Sequence, residues 1–307
     1  MKNNNYSAKE LYNAYLKGKN IIELLKDGNS EEYNLLNKMN YIEIAYDLQS
    51  GTYIEAMNNP QHAALKIQKC KEIASLVSSY ISNPKSLLKG GVGEAVTLVP
   101  ILDALPNKIE NVHGFDISWS RVINGKSYLV ENGYTDFTLC TGELQSIPYV
   151  DNSFDLILTS HSLEPNGGNE KEILLELMRV SSNIVALFEP SFEFASEKGK
   201  ARMIKHGYVK NLPGIAKELG FKVLAHHKLE TSISEINSTA ALILQVPNPH
   251  KPDSNPKFSC PVSKRELVKY DHGFFSEDSF LFFPVIENIP TLRPQNGILA
   301  SAIMKRI

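Results

Sequence analysis

Cysteine is scarce in this sequence, and no two cysteines stand at metal-ligand spacing. Cys70, Cys140 and Cys260 are the three cysteines among 307 residues, and each lies far from the other two. Zinc ribbons and disulfide frameworks need paired cysteines, such as the C-x-x-C spacing, which is absent here. The sequence therefore excludes a disulfide-stapled fold and a four-cysteine zinc site, and we predict no metal site.

Long apolar runs and an excess of one charge are also lacking. No run of apolar residues is long enough for a transmembrane helix. The N-terminal segment has no apolar stretch of the kind a secretory signal needs, so we expect a cytoplasmic protein. Lys and Arg number 32 against 34 Asp and Glu, a net charge of −2. Such a balance does not attract nucleic acid or an anionic membrane, so neither is the expected partner.

The patterns that are present divide the chain into three predicted domains. Residues 1–82 show only helical periodicity and are predicted to form a helical cap. Residues 83–247 alternate short apolar runs with helical patterns. Residues 247–256 contain four prolines, which is typical of a linker. The last stretch, 248–307, has short β-like runs and turn residues and is predicted to form a small α+β or β module.

Seven short apolar runs in the middle of the chain predict seven β-strands. Helical patterns separate the first five runs, and this alternation predicts a mostly parallel α/β sheet with helices on both faces. A short loop separates the last two runs, which favours an antiparallel hairpin at or near the sheet edge. The predicted strands are Ser86–Lys89, Val112–Asp116, Thr135–Leu139, Phe154–Thr159, Ile184–Leu187, Phe221–His226 and Ala240–Val246.

Two motifs at the ends of the first two predicted strands indicate a nucleotide-like cofactor. Gly91-x-Gly93 follows the first strand and opens a helix, so a ligand can approach the backbone and the free N–H groups of the helix N-terminus. Asp116 ends the second strand, and its two carboxylate oxygens suit the neighbouring hydroxyls of a ribose. The alternative for Asp116 is a helix cap without a ligand role.

A third motif precedes the fourth predicted strand and is more specific. Residues 142–155 read G-E-L-x-x-I-P-Y-x-D-x-S-F-D. The segment resembles the class I S-adenosylmethionine-dependent methyltransferases, whose domains often read G-D-A-x-x-L-P-F-x-D-x-S-F-D there. The resemblance covers about Lys85–Val246. It implies a Rossmann-like fold with a mostly parallel seven-stranded sheet, methyltransferase activity and S-adenosylmethionine as the cofactor.

The resemblance implies a cofactor-binding role for five residues of these motifs. Gly91 and Gly93 are expected under the methionine part of the cofactor, and Asp116 is expected to bind the ribose. Glu143 is expected to accept a hydrogen bond from the adenine amino group. The backbone N–H of Leu144 is expected to meet a ring nitrogen of the adenine.

Three further residues are expected at the methyl-transfer end or above the cofactor. Ser160 and His161 follow the fourth strand and would sit beside the methyl group and the acceptor. His161 is the best candidate for a general base, because an imidazole titrates near neutral pH. Tyr53 lies in a predicted helical stretch, Ser30–Met57. Its part Ile42–Tyr53 resembles an upstream helix that in related enzymes closes over the cofactor, and an ordinary packing helix is the alternative. Weaker polar candidates near the strand ends are Glu164, Glu189, His206 and Tyr208.

Two residues depart from the family pattern in the glycine-rich turn. Ala95 replaces the third glycine, and Lys89 replaces an acidic residue. The cofactor carries a sulfonium and an ammonium, and a further cation about 6 Å away costs roughly 3 kcal/mol at an effective dielectric of about 20. That is about a hundredfold in affinity. A non-catalytic scaffold with a methyltransferase fold is therefore an alternative.

The residues after the fourth strand narrow the class of methyl acceptor. Methyltransferases that act on adenine amino groups or glutamine side chains resemble one another in an N/D-P-P-Y/F motif there, whereas this chain has Thr159–Ser162, T-S-H-S. We therefore predict O-methylation of a sugar, a glycan precursor or another small acceptor. An RNA or protein methyltransferase is the alternative, although no basic stripe supports it.

The C-terminal segment Phe258–Leu292 resembles a second module, the small zinc-ribbon-like activator subunit of methyltransferases and its bacterial relatives. The matching stretches are Cys260-Pro261-x-Ser263-Lys264 and Phe283–Pro290. The resemblance implies a module that packs on the methyltransferase domain. Fusions of this kind are reminiscent of bacterial surface-glycan biosynthesis enzymes, an analogy that points to polysaccharide biosynthesis.

The activator-like segment is predicted to be free of metal. A single cysteine cannot form a tetrahedral zinc site. We expect the segment to be held together by apolar side chains instead. The predicted core residues are Leu267, Phe274, Phe280, Phe282 and Val285.

Overall fold

The structure, a computed structural model, describes residues 8–19, 21, 24, 35–234, 236–252 and 255–305. Among these residues no helix is long and apolar enough to cross a membrane. The helices are α1 Ala8–Leu16, α2 Leu35–Leu48, α3 Thr52–Ala56, α4 Pro60–Ser78, α5 Leu98–Ala104, α6 Trp119–Glu131, α7 Glu170–Val180, α8 Glu197–His206 and α9 Leu212–Glu218.

Seven strands form the main sheet, in the order β3-β2-β1-β4-β5-β7-β6. β7 is antiparallel to both of its neighbours, and the other pairs are parallel. The predicted α/β architecture with a mostly parallel seven-stranded sheet is confirmed. The strands are β1 Ser86–Gly90, β2 Asn111–Asp116, β3 Thr138–Thr141, β4 Phe154–Ser160, β5 Ser181–Pro190, β6 Lys222–Lys228 and β7 Thr239–Gln245.

The predicted hairpin of the last two strands is also present. Val223 pairs with Leu244 in an antiparallel register, and β6 lies at the edge of the sheet. Gly220, with φ of +94°, follows the end of α9 in the left-handed conformation that glycine adopts most readily. Because β7 runs against β5, its first residue, Thr239, reaches the edge where the parallel strands end.

The core follows from the alternation of side chains along the buried strands. Leu88 and Ile157 point to one face of the sheet, and Leu87 and Leu156 point to the other. β4 is buried on both faces at nearly every residue, as strands in the middle of a parallel sheet are. This two-faced burial fixes the register of β1 and β4, whose last residues lead into the functional loops.

The N-terminal helices differ in one respect from the prediction. α4 starts after Asn59, whose side chain caps the helix, and Cys70 and Val77 on its inner face are buried. The stretch Ser30–Met57 is not one helix, because Gly51, with φ of +94°, separates α2 from α3. The first residues of that predicted stretch lie outside the described residues.

The C-terminal segment forms a second, antiparallel sheet. Its strands are β8 Val268–Tyr270, β9 Gly273–Phe275, β10 Leu281–Ile286, β11 Ile289–Pro290 and β12 Ile298–Leu299. Immediately after β11, the chain runs alongside β3, since Thr291 pairs with Thr141 in a parallel bridge. The division of the chain into three domains stays a prediction.

The interior of the second sheet differs from the predicted core. Leu267 is buried as expected, but the fully buried aromatic residues are Phe275 and Phe283. Phe280 is 40% exposed, so its predicted place in the core is wrong. Phe280 precedes β10 with φ of +56°, and this turn carries its ring out of the alternating strand pattern.

Hydrogen bonds surround the single cysteine of this segment. The Cys260 sulfur accepts from the backbone N–H of Ser263 at 3.4 Å and lies 3.4 Å from the hydroxyl of Ser279. The hydroxyls of Ser263 and Ser276 are 3.4 Å apart. The four residues form two pairs with x-x spacing, which is the ligand spacing of zinc ribbons, with serine at three of the four positions.

Candidate functional site

A cavity of about 370 Å³ opens at the carboxyl ends of β1, β2 and β4, the edge at which open α/β sheets bind ligands. The structure brings all eight sequence-predicted site residues to its wall. They are Tyr53, Gly91, Gly93, Asp116, Glu143, Leu144, Ser160 and His161.

Two positions in the turn after β1 have a backbone conformation that favours glycine. Gly91 and Gly93 adopt left-handed conformations, with φ of +60° and +53°. A Cβ on Gly91 would overlap the Cβ of Ser162, so glycine is needed there for space as well as for conformation. Ala95, at the place of the third glycine, has φ of +60° and carries the strain of that conformation.

Asp116 fixes the turn from the end of β2. One carboxylate oxygen accepts from the backbone N–H of Gly93 at 2.8 Å, and the other accepts from that of Ser118 at 3.1 Å. The cap of α6 is Ser118, whose hydroxyl accepts from the N–H of Arg121, so the helix-cap interpretation of Asp116 is wrong. Each carboxylate oxygen keeps acceptor capacity for a ribose hydroxyl.

Glu143 follows β3 and is held by residues from the C-terminal segment. Its Oε1 accepts from Arg293 Nε at 2.9 Å and from Gln295 Nε2 at 2.6 Å. Leu144 is buried beside it and packs in the core layer below the cavity. The carboxylate and the adjacent backbone stand on one wall, about where the resemblance expects the adenine.

Two tyrosines of the N-terminal helices cover a buried arginine beside this wall. The guanidinium of Arg121 lies 4.2 Å from the ring centre of Tyr53 and 5.0 Å from that of Tyr46. Arg121 also donates through Nε to the backbone oxygen of Tyr46 at 2.8 Å. Tyr53 is 43% exposed, so its ring stands at the rim of the cavity rather than in its floor.

Glu94 ties the N-terminal helices to the glycine turn. Its carboxylate accepts from the backbone N–H groups of Gly51, Tyr53 and Ile54 at 2.8–3.1 Å. A carboxylate at a helix N-terminus is favoured because the free N–H groups there carry partial positive charge. The N-terminal helices are therefore attached to the glycine turn, and Tyr46 and Tyr53 line the cavity, whereas the role of these helices as a cap stays a prediction.

His161 and Glu164 form a partly buried pair at the other end of the cavity, with side chains 29% and 13% exposed. His161 Nδ1 lies 3.1 Å from Glu164 Oε2, and Asn237 donates to the same oxygen at 3.2 Å. This network assigns the proton to Nδ1 and leaves Nε2 as the basic nitrogen. Burial lowers the pKa of His161 below its ordinary value, although the hydrogen bond to Glu164 acts in the opposite direction. The imidazole is therefore neutral near pH 7, as a general base requires.

Lys69, which the sequence did not identify as a site residue, completes the His161 end of the cavity. Lys69 Nζ donates to Thr239 Oγ1 at 2.6 Å and lies 3.2 Å from His161 Nε2. Burial, together with the charge of Lys66, lowers the pKa of Lys69 to about 8. Lys66 and Lys69 interrupt the apolar face of α4 one turn apart, and that interruption was the available indication in the sequence.

Lys89, which the sequence placed beside the cofactor, is not part of the described cavity wall. It is 1% exposed, and its ammonium donates to the backbone oxygens of Gly90 and Gly91 at 2.8 and 3.0 Å. Burial lowers the pKa of Lys89, and the carboxylates of Glu189 and Asp116 act against that shift. Two carbonyls and a nearby carboxylate thus compensate the charge.

The weaker polar candidates divide between the cavity and other places. Glu164 lines the cavity, whereas Glu189 is buried and accepts from the backbone N–H of Ser162 at 3.2 Å. Burial raises the pKa of Glu189. His206 and Tyr208 pack against each other with ring centres 5.6 Å apart and do not belong to the described cavity wall.

Comparison with known proteins relates this site to a family of enzymes. Residues 88–183 match the sequence model of a family described as a methyltransferase domain. The match supports a class I methyltransferase. It also supports S-adenosylmethionine as the cofactor, and the residues fit that group: a turn with glycine at positions 91 and 93, a carboxylate for the ribose and a second carboxylate for the adenine. No curated protein matches the chain.

Solved structures show likeness of fold. One chain of the complex between the Haloferax volcanii Trm112 methyltransferase activator and a candidate methyltransferase has 13% identity and a TM-score of 0.51, covering 64% of this chain and 96% of that one. Magnesium protoporphyrin IX methyltransferase from Synechocystis PCC 6803, with bound SAH, has 14% identity and a TM-score of 0.47, covering 78% and 100%. A candidate sarcosine dimethylglycine methyltransferase from Galdieria sulphuraria has 13% identity and a TM-score of 0.48, covering 59% and 86%.

Proposed function

We propose that this protein transfers a methyl group from S-adenosylmethionine to an oxygen atom of a small acceptor, such as a sugar or a glycan precursor. One observation carries the proposal. The neutral His161, oriented by Glu164, borders the cavity at the end away from Asp116 and Glu143. Oxygen acceptors need a base to remove their proton, whereas many nitrogen acceptors do not, so a built base favours oxygen.

The side chains around His161 have distinct tasks in this reaction. His161 Nε2 accepts the proton of the acceptor hydroxyl, which takes the place of the Thr239 hydroxyl now 2.6 Å away. Glu164 holds the ring and stabilises the imidazolium that forms. The Lys69 ammonium stabilises negative charge on the acceptor oxygen. When bound, the cofactor supplies the electrophilic methyl carbon, and the cavity aligns the acceptor behind it.

The shape of the site favours a small acceptor over RNA or protein. α4 and the stretch between β6 and β7 contribute Lys66, Lys69 and Ile233 to the wall, so the acceptor end lies under secondary structure. The net charge of −2 provides no general attraction for RNA. The scaffold alternative depends on repulsion between Lys89 and the cofactor. The Lys89 ammonium bonds to backbone carbonyls and is not part of the described cavity wall, which argues against that alternative.

We also propose that the C-terminal segment acts like an activator subunit fused to the domain that it serves. Support comes from its attachment to β3 and from an ion pair at 3.0 Å between Lys264 and Glu176 of α7. The Haloferax volcanii complex, which joins a methyltransferase activator to a candidate methyltransferase, is in line with this role.

Transfer of labelled methyl groups tests the proposed function. The purified protein is incubated with S-adenosylmethionine labelled in the methyl group and with panels of sugars, sugar nucleotides, small phenols, total RNA and protein extract. We expect base-stable label in a hydroxyl-bearing small molecule and none with the variant His161→Ala. Label in RNA or protein alone would contradict the proposal.

A further inference from the structure

Arg293 is a buried cation that connects three parts of the molecule. It is 2% exposed and pairs with Glu43 of α2 and with Glu143 after β3. A buried guanidinium is costly unless carboxylates and hydrogen bonds compensate it, so these pairs set its position closely. The arginine itself belongs to the C-terminal segment, about 150 residues beyond Glu143 in the sequence.

Strand pairing brings Arg293 to Glu143. Thr291 and Thr141 face each other in a parallel bridge, and the backbone N–H of Leu292 donates to the oxygen of Thr141 at 3.2 Å. Arg293 lies two residues after Thr291, and Glu143 lies two residues after Thr141. In a parallel pair, residues with the same offset stand side by side on the same face. The contact is therefore a consequence of the register and not a chance meeting of surface side chains.

The hydrogen bonds at Glu143 leave one of its oxygens available. Both Arg293 and Gln295 donate to Oε1. Among the residues that the structure describes, no side chain donates a hydrogen bond to Oε2. Glu143 thus lines the cavity with a fixed carboxylate whose Oε2 accepts no hydrogen bond from the side chains of the described residues. A fixed acceptor binds more tightly than a free one, because its side-chain entropy is lost before the ligand arrives.

We propose that Arg293 and Gln295 are positioning residues for Glu143, so that the C-terminal segment completes the adenine end of the cofactor site. The inference rests on the proposed function, since it takes the ligand of Glu143 to be the 6-amino group of adenine. It gives the C-terminal segment a defined task besides packing. The segment holds an acceptor oxygen toward the purine and thereby selects an amino group at that position over a carbonyl group.

Calorimetric titration with two probes tests this inference. S-adenosylhomocysteine carries the 6-amino group, and S-inosylhomocysteine carries a carbonyl oxygen there. We expect the wild-type protein to prefer the adenosine compound by about tenfold or more, as for a hydrogen bond to a charged group. In Arg293→Met, we expect affinity for the adenosine compound to fall about tenfold and the preference between the probes to shrink.

Two further variants separate positioning from general stability. Lys264→Met removes an ion pair to Glu176 between the C-terminal segment and α7, away from the described cavity wall, and we expect it to leave both probe affinities unchanged. Gln295→Leu removes one donor from an exposed residue without leaving a buried charge, and we expect a smaller loss in the same direction. Thermal unfolding shows that each variant is folded, and Gln295→Leu decides the question if Arg293→Met does not fold.

The outcomes distinguish this inference from the proposed function. Wild-type protein that binds neither probe overturns the proposed function and this inference with it. Wild-type protein that binds both probes equally overturns the inference alone. The inference alone is also overturned if folded Arg293→Met keeps both the wild-type affinity and the wild-type preference between the probes. If Arg293→Met does not fold, Gln295→Leu is judged by the same two quantities.

Discussion

The two ends of the cavity differ in how far apart their residues lie in the sequence. At the adenosine end, Gly91, Asp116 and Glu143 follow three successive strands, and the backbone of each turn is part of the site. At the acceptor end, Lys69 and Thr239 touch across 170 residues, and His161 comes from between them. The turns after β1, β2 and β3 supply the residues of the first end, and the C-terminal segment adds only the support of Glu143. Packing of α4 and the antiparallel β7 onto the sheet builds the second end.

This difference separates binding from chemistry. Groups that bind a cofactor common to many enzymes can sit in local turns, because each turn presents its own N–H groups and carboxylate. Groups that act on a particular acceptor meet only after the helices and β7 have packed. Changes at the adenosine end should therefore affect cofactor affinity, and changes at the acceptor end should affect turnover.

The largest effect is expected from removing the base. His161→Ala should lower kcat by about 100- to 10,000-fold, the usual contribution of general base catalysis. Its affinity for S-adenosylmethionine should stay within about threefold of wild type. Steady-state kinetics and calorimetric titration measure the two quantities. The control is His227→Ala, an exposed residue of β6, which should leave both unchanged. Equal loss of affinity and turnover in His161→Ala would show that the two ends are not separable.

A methyl group added at Gly91 should destabilise the turn at the adenosine end of the cavity. Gly91→Ala combines a left-handed conformation with overlap against Ser162, and should lower the free energy of unfolding by about 2–4 kcal/mol. Ala95→Gly is the matched control: relief of strain offsets the lost methyl burial, so the change should be below about 1 kcal/mol. Urea unfolding measures both. A Gly91→Ala variant as stable as wild type would contradict the described turn.

The pH dependence of kcat should report the acceptor end. His161 acts as a base only when neutral, and its lowered pKa places the acid limb below about 6.5. Lys69 stabilises the oxygen only when protonated, so activity should fall again above about 8. Glu164 and Glu189 oppose the lowering of the Lys69 pKa, whereas Lys66 adds to it.

Substitutions assign the alkaline limb. Lys69→Met should lower kcat and abolish the limb, and Lys66→Met should move it to higher pH because a neighbouring positive charge is removed. Rate profiles across neutral pH for the three proteins provide the test. An alkaline limb that survives in Lys69→Met would assign it to another group.

The smallest effect is expected at Lys89. Because its ammonium bonds to the carbonyls of Gly90 and Gly91, Lys89→Met should change affinity for S-adenosylmethionine by less than about threefold. Titration of the folded variant measures this. A gain of about a hundredfold would instead show that the repulsion expected from the sequence acts on the cofactor.

The sequence predicted the sheet well because its pattern is local. Apolar runs and intervening helices identified all seven strands. β5, expected at Ile184–Leu187, extends three residues further at each end, and β3 is displaced along the chain. β3 was expected at Thr135–Leu139 but spans Thr138–Thr141, since its pairing with β2 begins at His113 and Thr138. Strand ends depend on a partner, which a single run of residues does not reveal.

The candidate site could be predicted from the sequence only in part. The residues of the glycine turn and the strand ends reach the cavity wall as expected, because motif position and sheet edge coincide. Lys69, Thr239 and Arg293 were not predicted, since each reaches the site through packing of elements distant in sequence. The core of the C-terminal segment was assigned partly to the wrong aromatic residues for a similar reason: strand register decides which ring turns inward.

Calorimetric titration with S-adenosylmethionine shows whether the cavity binds this cofactor and whether Asp116 is needed for binding. The comparison uses wild-type protein, Asp116→Ala and a control, Asp151→Ala, whose carboxylate is exposed and pairs with Arg179 away from the described cavity wall. We predict micromolar binding by wild type and by the control, and at least about a hundredfold weaker binding by Asp116→Ala. Absence of binding to folded wild-type protein up to millimolar cofactor would contradict a methyltransferase role and favour a scaffold with a methyltransferase fold.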